Sequence, residues 1–264
     1  MIRSALMNVM TAAVLKAGRG LKRDFGEIEN LQVSVKGPGD FVSNADRRAE
    51  QTLFEELSKA RPGYGFIMEE GGTVEGTDRS HTWHVDPLDG TMNFLHGLPI
   101  FAISIGLERD GNIVAGIVYN PISDDMYFAE RGQGAYHNNR RLRVAARRDI
   151  AEALVGCGIP ALGKASSHPR FKAEIAEAMA HVGVLRRLGS ASLDLAYVAA
   201  GSYDVYWERG IKSWDVAAGI LLVREAGGFV TNADGGEDAL SAGSILAGNE
   251  IMHRRLLDIL KTVR

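Results

Sequence analysis

Hydrophobic positions along the chain change their spacing in blocks, and each block predicts an element. Ile2, Leu6, Val9, Met10, Ala13, Val14 and Ala17 recur at helical intervals, which predicts an amphipathic first helix. A glycine-rich stretch, VKGPGDFVSNAD, reads as a loop. The run DRRAEQTLFEELSKA then reads as a second helix, opened by Ser43 or Asn44 and ended before Arg61-Pro62. GYGFIMEE and TWHVD predict short strands that end in carboxylates. From Ile100 to Val144 the period falls to two, so FAISIGLE, NIVAGIVYN and MYFAERGQGAYH predict antiparallel strands, the first two joined at Asp110-Gly111.

Beyond that point strands and helices alternate. ALVGCGIP, YDVYWERG and SILAGN read as strands, and PRFKAEIAEAMAHV, SASLDLAYVAAG, WDVAAGILLVREAGG and EIMHRRLLDILKTV as helices. The fold class is α/β, with expected subdomains at 1–150 and 151–264. No repeat, low-complexity tract or long linker interrupts the pattern.

Composition narrows the function classes. The chain has 264 residues, is 45% hydrophobic and 24% charged, and carries a formal net charge of −3. That balance gives no general attraction to nucleic acid or anionic membranes, and no apolar run is long enough to cross a bilayer. The single cysteine, Cys157, can form no internal disulfide and no thiolate metal site, so cytoplasm is the expected location.

The charged stretch from Glu69 to Phe94 carries the chemistry. In DPLDGT a proline turn separates Asp86 from Asp89, so both carboxylates and the Leu88 carbonyl can face one point, with Glu69 adding another oxygen. Hard oxygen donors suit magnesium rather than zinc. Gly90, Thr91 and Met92 then open a helix whose free N–H groups offer an anion site beside the cation. Each feature alone has a plainer reading: DPLDG as a turn, Glu69-Glu70 as solvated surface, Asp215 as a helix cap.

Together these motifs resemble the inositol monophosphatase family of magnesium-dependent, lithium-sensitive phosphatases. Asp86, Pro87, Leu88, Asp89, Gly90, Thr91, Asn93 and Phe94 match its first signature, Glu69 and Glu70 its upstream acidic pair, and Trp214, Asp215, Ala217, Ala218 and Gly219 its second signature. The segment RRLGSASLDLAYVAAGSYDVYWERGIKSWD is similar to bacterial members. Met92, Gly71 and Ser43-Asn44 depart from the family pattern, and none of these departures removes an expected ligand.

The resemblance implies a layered α/β/α/β/α sandwich with a mixed or antiparallel N-terminal sheet and a second, smaller sheet. It implies that Glu69, Asp86, the Leu88 carbonyl, Asp89 and Asp215 hold two or three magnesium ions. Glu70 would hold water, and Thr91, paired with Asp46, would orient the attacking water. Gly90 and Thr91 would bind phosphate through backbone N–H groups, Glu208 would meet substrate hydroxyls, and Gly189, Ser190 and Ala191 would wall the pocket, with Asp215 also facing the substrate. The expected reaction is hydrolysis of a small sugar or polyol phosphate, foremost inositol 1-phosphate, by a homodimer. Histidinol phosphate, fructose 1,6-bisphosphate, adenosine 3',5'-bisphosphate and NADP are alternative substrates. A non-catalytic binding protein is the reading from another class.

Overall fold

The computed structural model describes residues 4–27, 33–37, 40–160 and 165–263. Helix α1 (Ala5–Phe25) begins where the Ser4 hydroxyl accepts from the Met7 amide, and it buries Met7, Met10, Ala13, Val14, Ala17 and Leu21. Of the predicted stripe, Met10, Ala13, Val14 and Ala17 are buried and Leu6 and Val9 partly so, while Met7 and Leu21 extend it and Ile2 lies outside the described residues. The glycine-rich loop is a correction. Val33–Gly37 (β1) and Asp40–Ser43 (β2) pair as antiparallel strands, and Pro38 and Gly39 lie outside the described residues. The β-branched and aromatic residues on either side of Gly-Pro-Gly favour strands, although each strand is too short to display a period.

Helix α2 (Asn44–Ala60) is capped by Ser43, whose hydroxyl accepts from the Ala45 amide, while the Ser43 amide donates back to Asp46 at 2.8 Å. This reciprocal pair satisfies both ends of the first turn.

Strands β3 (Tyr64–Met68), β4 (Gly72–Val74) and β5 (Asp78–Asp89) lead through the short helix α3 (Thr91–Leu95) to β6 (Ala102–Arg109) and β7 (Asn112–Asn120). β8 (Asp125–Glu130), β9 (Gly134–His137) and β10 (Arg140–Arg141) complete an eight-stranded sheet of order β10-β9-β8-β7-β6-β5-β3-β4. It is mixed, because β3 runs parallel to β5 and the other neighbours are antiparallel. Asp110 and Gly111 make the β6–β7 turn with φ of 50° and 77°, as the Asp-Gly signal predicts. MYFAERGQGAYH, expected as one strand, is two, because Gly132 at φ 78° reverses the chain within it.

A second sheet of five strands is ordered β12-β11-β13-β15-β14. Its members are β11 (Leu154–Cys157), β12 (Val184–Arg186), β13 (Val205–Arg209), β14 (Phe229–Thr231) and β15 (Ser244–Gly248), with helices α4 (His168–His181), α5 (Ala191–Ala199), α6 (Ser213–Glu225) and α7 (Glu250–Lys261).

Three apolar cores separate five layers. One lies between α1, α2 and the large sheet and contains Met10, Leu53, Trp83 and Ile105. The next encloses α5 and α6 between the two sheets and contains Leu195, Val198, Ile220 and Leu222. The third joins the small sheet to α4 and α7 through Val155, Trp207, Ala178 and Leu256. The expected α/β/α/β/α sandwich is the observed one. Helix α6 lies flush on the large sheet because Gly106 and Gly116 carry no side chain: a Cβ at Gly106 would stand 2.5 Å from the Ala217 Cβ, and one at Gly116 would stand 2.9 Å from the Ala218 Cα. That contact brings the start of α6, and Asp215 with it, to the carboxylate end of β5. Among the described residues no helix is long and apolar enough to cross a membrane.

Candidate active site at the seam of the two sheets

Strand β5 aims the acidic residues through an irregularity in its pairing. Asp86 faces Ser104 and Asp89 faces Ala102, so Pro87 and Leu88 together oppose the single residue Ile103. Proline has no N–H to give the ladder and sits naturally in such a bulge, which turns the backbone and re-aims the side chains beyond it. The Leu88 amide donates to Asp86 Oδ1 at 2.9 Å, and the Leu88 side chain anchors the turn in the core. Gly90 comes next at φ 100°, a conformation open to glycine, and its Cα faces the Ile100 and Gly189 carbonyls so closely that a Cβ would meet them at 3.0 and 3.3 Å.

Thr91 and Asp46 come together as the sequence implies. The Thr91 hydroxyl lies 3.1 Å from Asp46 Oδ1 and 3.1 Å from the Leu88 carbonyl, either of which can accept its proton. Asp46 is fully buried, and burial outweighs its hydrogen bonds to Ser43 and Thr91 to push its carboxyl above the ordinary value.

Asp86 is held well above the usual carboxylate range, first by burial and then by the charges of Glu69, Asp89 and Asp215. Asp215 is held well above it by burial and by Asp89, with Glu69 and Glu208 contributing. The charges that act on Asp86 most strongly all have its own sign. Two halves of the chain thus meet in concentrated negative charge. His84 fastens the meeting: two positions before Asp86, it bonds Glu108 at 2.8 Å and Ser213 Oγ at 3.0 Å, and Ser213 lies two positions before Asp215.

Among the described residues no three carboxylate, histidine or cysteine side chains form a ready coordination shell. The hydrogen bonds give the reason. Asp89 turns toward the start of α5, where Oδ2 accepts from Ser190 Oγ at 2.7 Å and from the Ser192 amide at 2.7 Å, with Ser192 Oγ and the Ala191 amide also donating to the carboxylate. Asp215 Oδ2 accepts from the Lys212 amide at 2.6 Å, as an ordinary helix-capping acid does. The donors are nonetheless hard oxygens of like charge brought to one place, which is the chemistry a divalent cation such as magnesium satisfies.

The segment from Leu188 to Ala191 packs against the other side of the Gly90 turn. Gly189, at φ 83°, places its carbonyl against Gly90, and Asn93 holds that approach by donating to the Ile100 and Leu188 carbonyls at 2.7 and 2.8 Å. Glu208 accepts a short hydrogen bond from the Tyr206 hydroxyl, and its carboxyl lies flat on Gly158. Glu70 sits on the β3–β4 turn, its amide held by Glu50 at 2.8 Å.

Several participants carried no motif. Asp194, the one charged residue of the mostly apolar α5, is buried beside Glu208 and held well above the carboxylate range by burial and that charge, and its Oδ1 has no hydrogen-bond partner among the described residues. Its position as the one acid in a mostly apolar helix was the available signal. Ser192, Tyr206, Gly158 and Glu50 act through contacts across the fold. Cys157 is buried and its thiol is pushed up to about 12 by desolvation, then by Asp194 and Glu208, which leaves it inert.

Stacked mixed sheets with acids from both halves meeting beside a glycine turn define a phosphatase. Residues 3–264 match the profile of the inositol monophosphatase family, and the chain belongs to that family. It is 62% identical to the inositol-1-monophosphatase of Mesorhizobium japonicum, over 99% of this chain and 98% of that one. It is 57% identical to the inositol-1-monophosphatase of Rhizobium meliloti, over the same shares of 99% and 98%. The crystal structure of the extragenic suppressor protein suhB from Bartonella henselae superposes with a TM-score of 0.94 at 55% identity, covering 98% of this chain and 99% of that one.

Proposed function

We infer that the protein is a magnesium-dependent phosphomonoesterase whose substrate is inositol 1-phosphate. The observation that carries this reading is the convergence of like charge from Glu69, Asp86, Asp89 and Asp215 on one place beside the Gly90–Thr91 turn. These acids and the Leu88 carbonyl would hold two or three metal ions at the seam between residues 1–150 and 151–264. When bound, the metal supplies charge neutralisation at the phosphoryl oxygens and makes water more acidic.

The chain's own groups do the rest. Asp46 accepts the Thr91 proton, leaving the Thr91 oxygen free to accept from a water and orient it, and Glu70 holds the same water from the other side. The Gly90 and Thr91 amides face the phosphate, while Glu208, backed by Tyr206, takes hydroxyls beside the ester oxygen, and Gly189 to Ala191 close the wall. Water adds to phosphorus as the ester P–O bond breaks, and the alcohol leaves with a proton. No side chain in the motif is placed as a covalent nucleophile. The sugar-facing carboxylate favours a polyol phosphate over the other substrates of this scaffold. Lithium inhibition, a homodimer and a cytoplasmic location complete the reading.

Phosphate release is to be measured over inositol 1-phosphate, histidinol phosphate, fructose 1,6-bisphosphate, adenosine 3',5'-bisphosphate and NADP, with magnesium and with excess chelator. Fastest release from inositol 1-phosphate, lost in chelator, is the expected result. Undiminished release in chelator refutes the metal dependence, and preference for another ester refutes the substrate.

A further inference from the structure

Helix α2 presents two acids on one buried face. Asp46 and Glu50 stand four residues apart, so their side chains leave the helix in the same direction one turn apart. Asp46 reaches Thr91. Glu50, only 6% exposed, reaches the turn between β3 and β4, where its Oε2 accepts the Glu70 amide at 2.8 Å. A buried carboxylate is expensive unless it is hydrogen-bonded, and this one is bonded to the backbone of an acidic pair expected to serve the metal site.

The turn is shaped to the carboxylate. Residues Glu69 to Gly71 span the gap between Met68 and Gly72, which pair across the hairpin, and the Glu69 amide donates to the Val85 carbonyl of β5 at 3.3 Å. One end of the acidic pair is therefore tied to the large sheet and the other to α2. Gly71 comes directly after, and a Cβ there would stand 3.0 Å from Glu50 Oε1 and 2.9 Å from the Met68 Cε. Its lack of a side chain lets the turn close onto the carboxylate without displacing it.

We propose that Glu50 is a positioning residue that fixes the Glu69–Glu70 turn in the orientation needed for metal binding. It touches neither metal nor substrate and acts through the Glu70 amide. This role rests on magnesium being the metal that the acids hold. Groups that orient metal-binding residues from behind are typically worth about ten- to a hundredfold in metal affinity.

The test is calorimetric titration of magnesium into the full chain, beside the magnesium concentration for half-maximal phosphate release. Glu50→Leu fills the space without an acceptor and should weaken magnesium about tenfold in both measurements. Glu50→Gln keeps an oxygen for the Glu70 amide and should stay within about threefold of the parent, since the bond is retained. Glu50→Ala removes the acceptor without adding bulk, should shift affinity in the same direction as Glu50→Leu, and serves alone if the leucine variant fails to fold. Parent-like affinity in Glu50→Leu or in Glu50→Ala overturns the proposal. So does an equal loss in Glu50→Gln and Glu50→Leu, which would make charge rather than the amide bond the active feature. A parent chain that takes up no magnesium and works in chelator instead overturns the metal reading on which the proposal stands.

Discussion

Replacing Gly158 by alanine should change which substrates the enzyme prefers, because Gly158 is the floor on which Glu208 lies. An alanine Cβ would stand 1.9 Å from the Glu208 Cδ and 2.2 Å from its Oε1. Ordinary contact begins at 3.4 Å, so the carboxyl must retreat by about 1.5 Å. Gly158 has no positive φ, so its backbone accepts alanine without strain of its own. The displaced carboxyl also leaves the hydroxyl of Tyr206, a fully buried residue.

A hydrogen bond to a charged group is worth about 1.5–3 kcal/mol. Loss of that contact to an inositol hydroxyl lowers kcat/KM about ten- to a hundredfold. An aryl phosphate has no such hydroxyl and should change by less than about threefold, the allowance for small shifts of the pocket. Overpacking should cost about 1–3 kcal/mol of stability, seen as a fall in Tm of roughly 2–4 °C for each kcal/mol in a chain of this size. The assay compares kcat/KM for inositol 1-phosphate and p-nitrophenyl phosphate in Gly158→Ala, Glu208→Gln and the double variant. Because both single changes act on one contact, the double variant should lose far less than their product. Equal losses on the two substrates, or fully multiplicative losses on inositol phosphate, would refute a substrate contact at Glu208.

Asp89→Asn should abolish phosphate release and shrink the magnesium-induced rise in Tm. It should also lower the metal-free Tm, because an amide cannot accept from Ser190, Ala191 and Ser192 as the carboxylate does; a raised metal-free Tm would show that repulsion outweighs those bonds. The response to pH comes from Asp86 and Asp215, whose carboxyls are raised well above the ordinary 3.8, chiefly by burial, with the neighbouring acids adding. A raised acid contributes stability fully below its unfolded value and loses it as pH climbs through its folded value. The magnesium-induced rise in Tm should therefore be larger at about pH 8 than at about pH 5.5, and an equal rise at both would refute the coupling.

What the sequence reveals of this site is what lies within one or two turns of chain. Asp86, Asp89, Gly90 and Thr91 are spaced by a bulge and a glycine turn that local chemistry dictates, and Ser43 with Asp46 forms a capping box within one helical turn. The α/β alternation and the helix starts are equally local. The β1–β2 pair and the split of β8 from β9 escaped because glycines hide the period of short strands.

Contacts between distant elements leave no such trace. Glu50 is one of many helical glutamates until β3 brings Glu70 against it, and Gly158 is an ordinary strand-end glycine until β13 lays Glu208 over it. Asp89 belongs to both kinds of information at once. Its spacing from Asp86 marks it as a candidate ligand, while its tertiary position makes it the acceptor for the first turn of α5. A cation drawing on Asp89 would compete for its oxygens with the donors of Ser190, Ala191 and Ser192. One group of hydrogen bonds therefore ties the half of the chain that bears most of the acids to the start of α5 in the other half, so a change at Asp89 is felt on both sides of the seam.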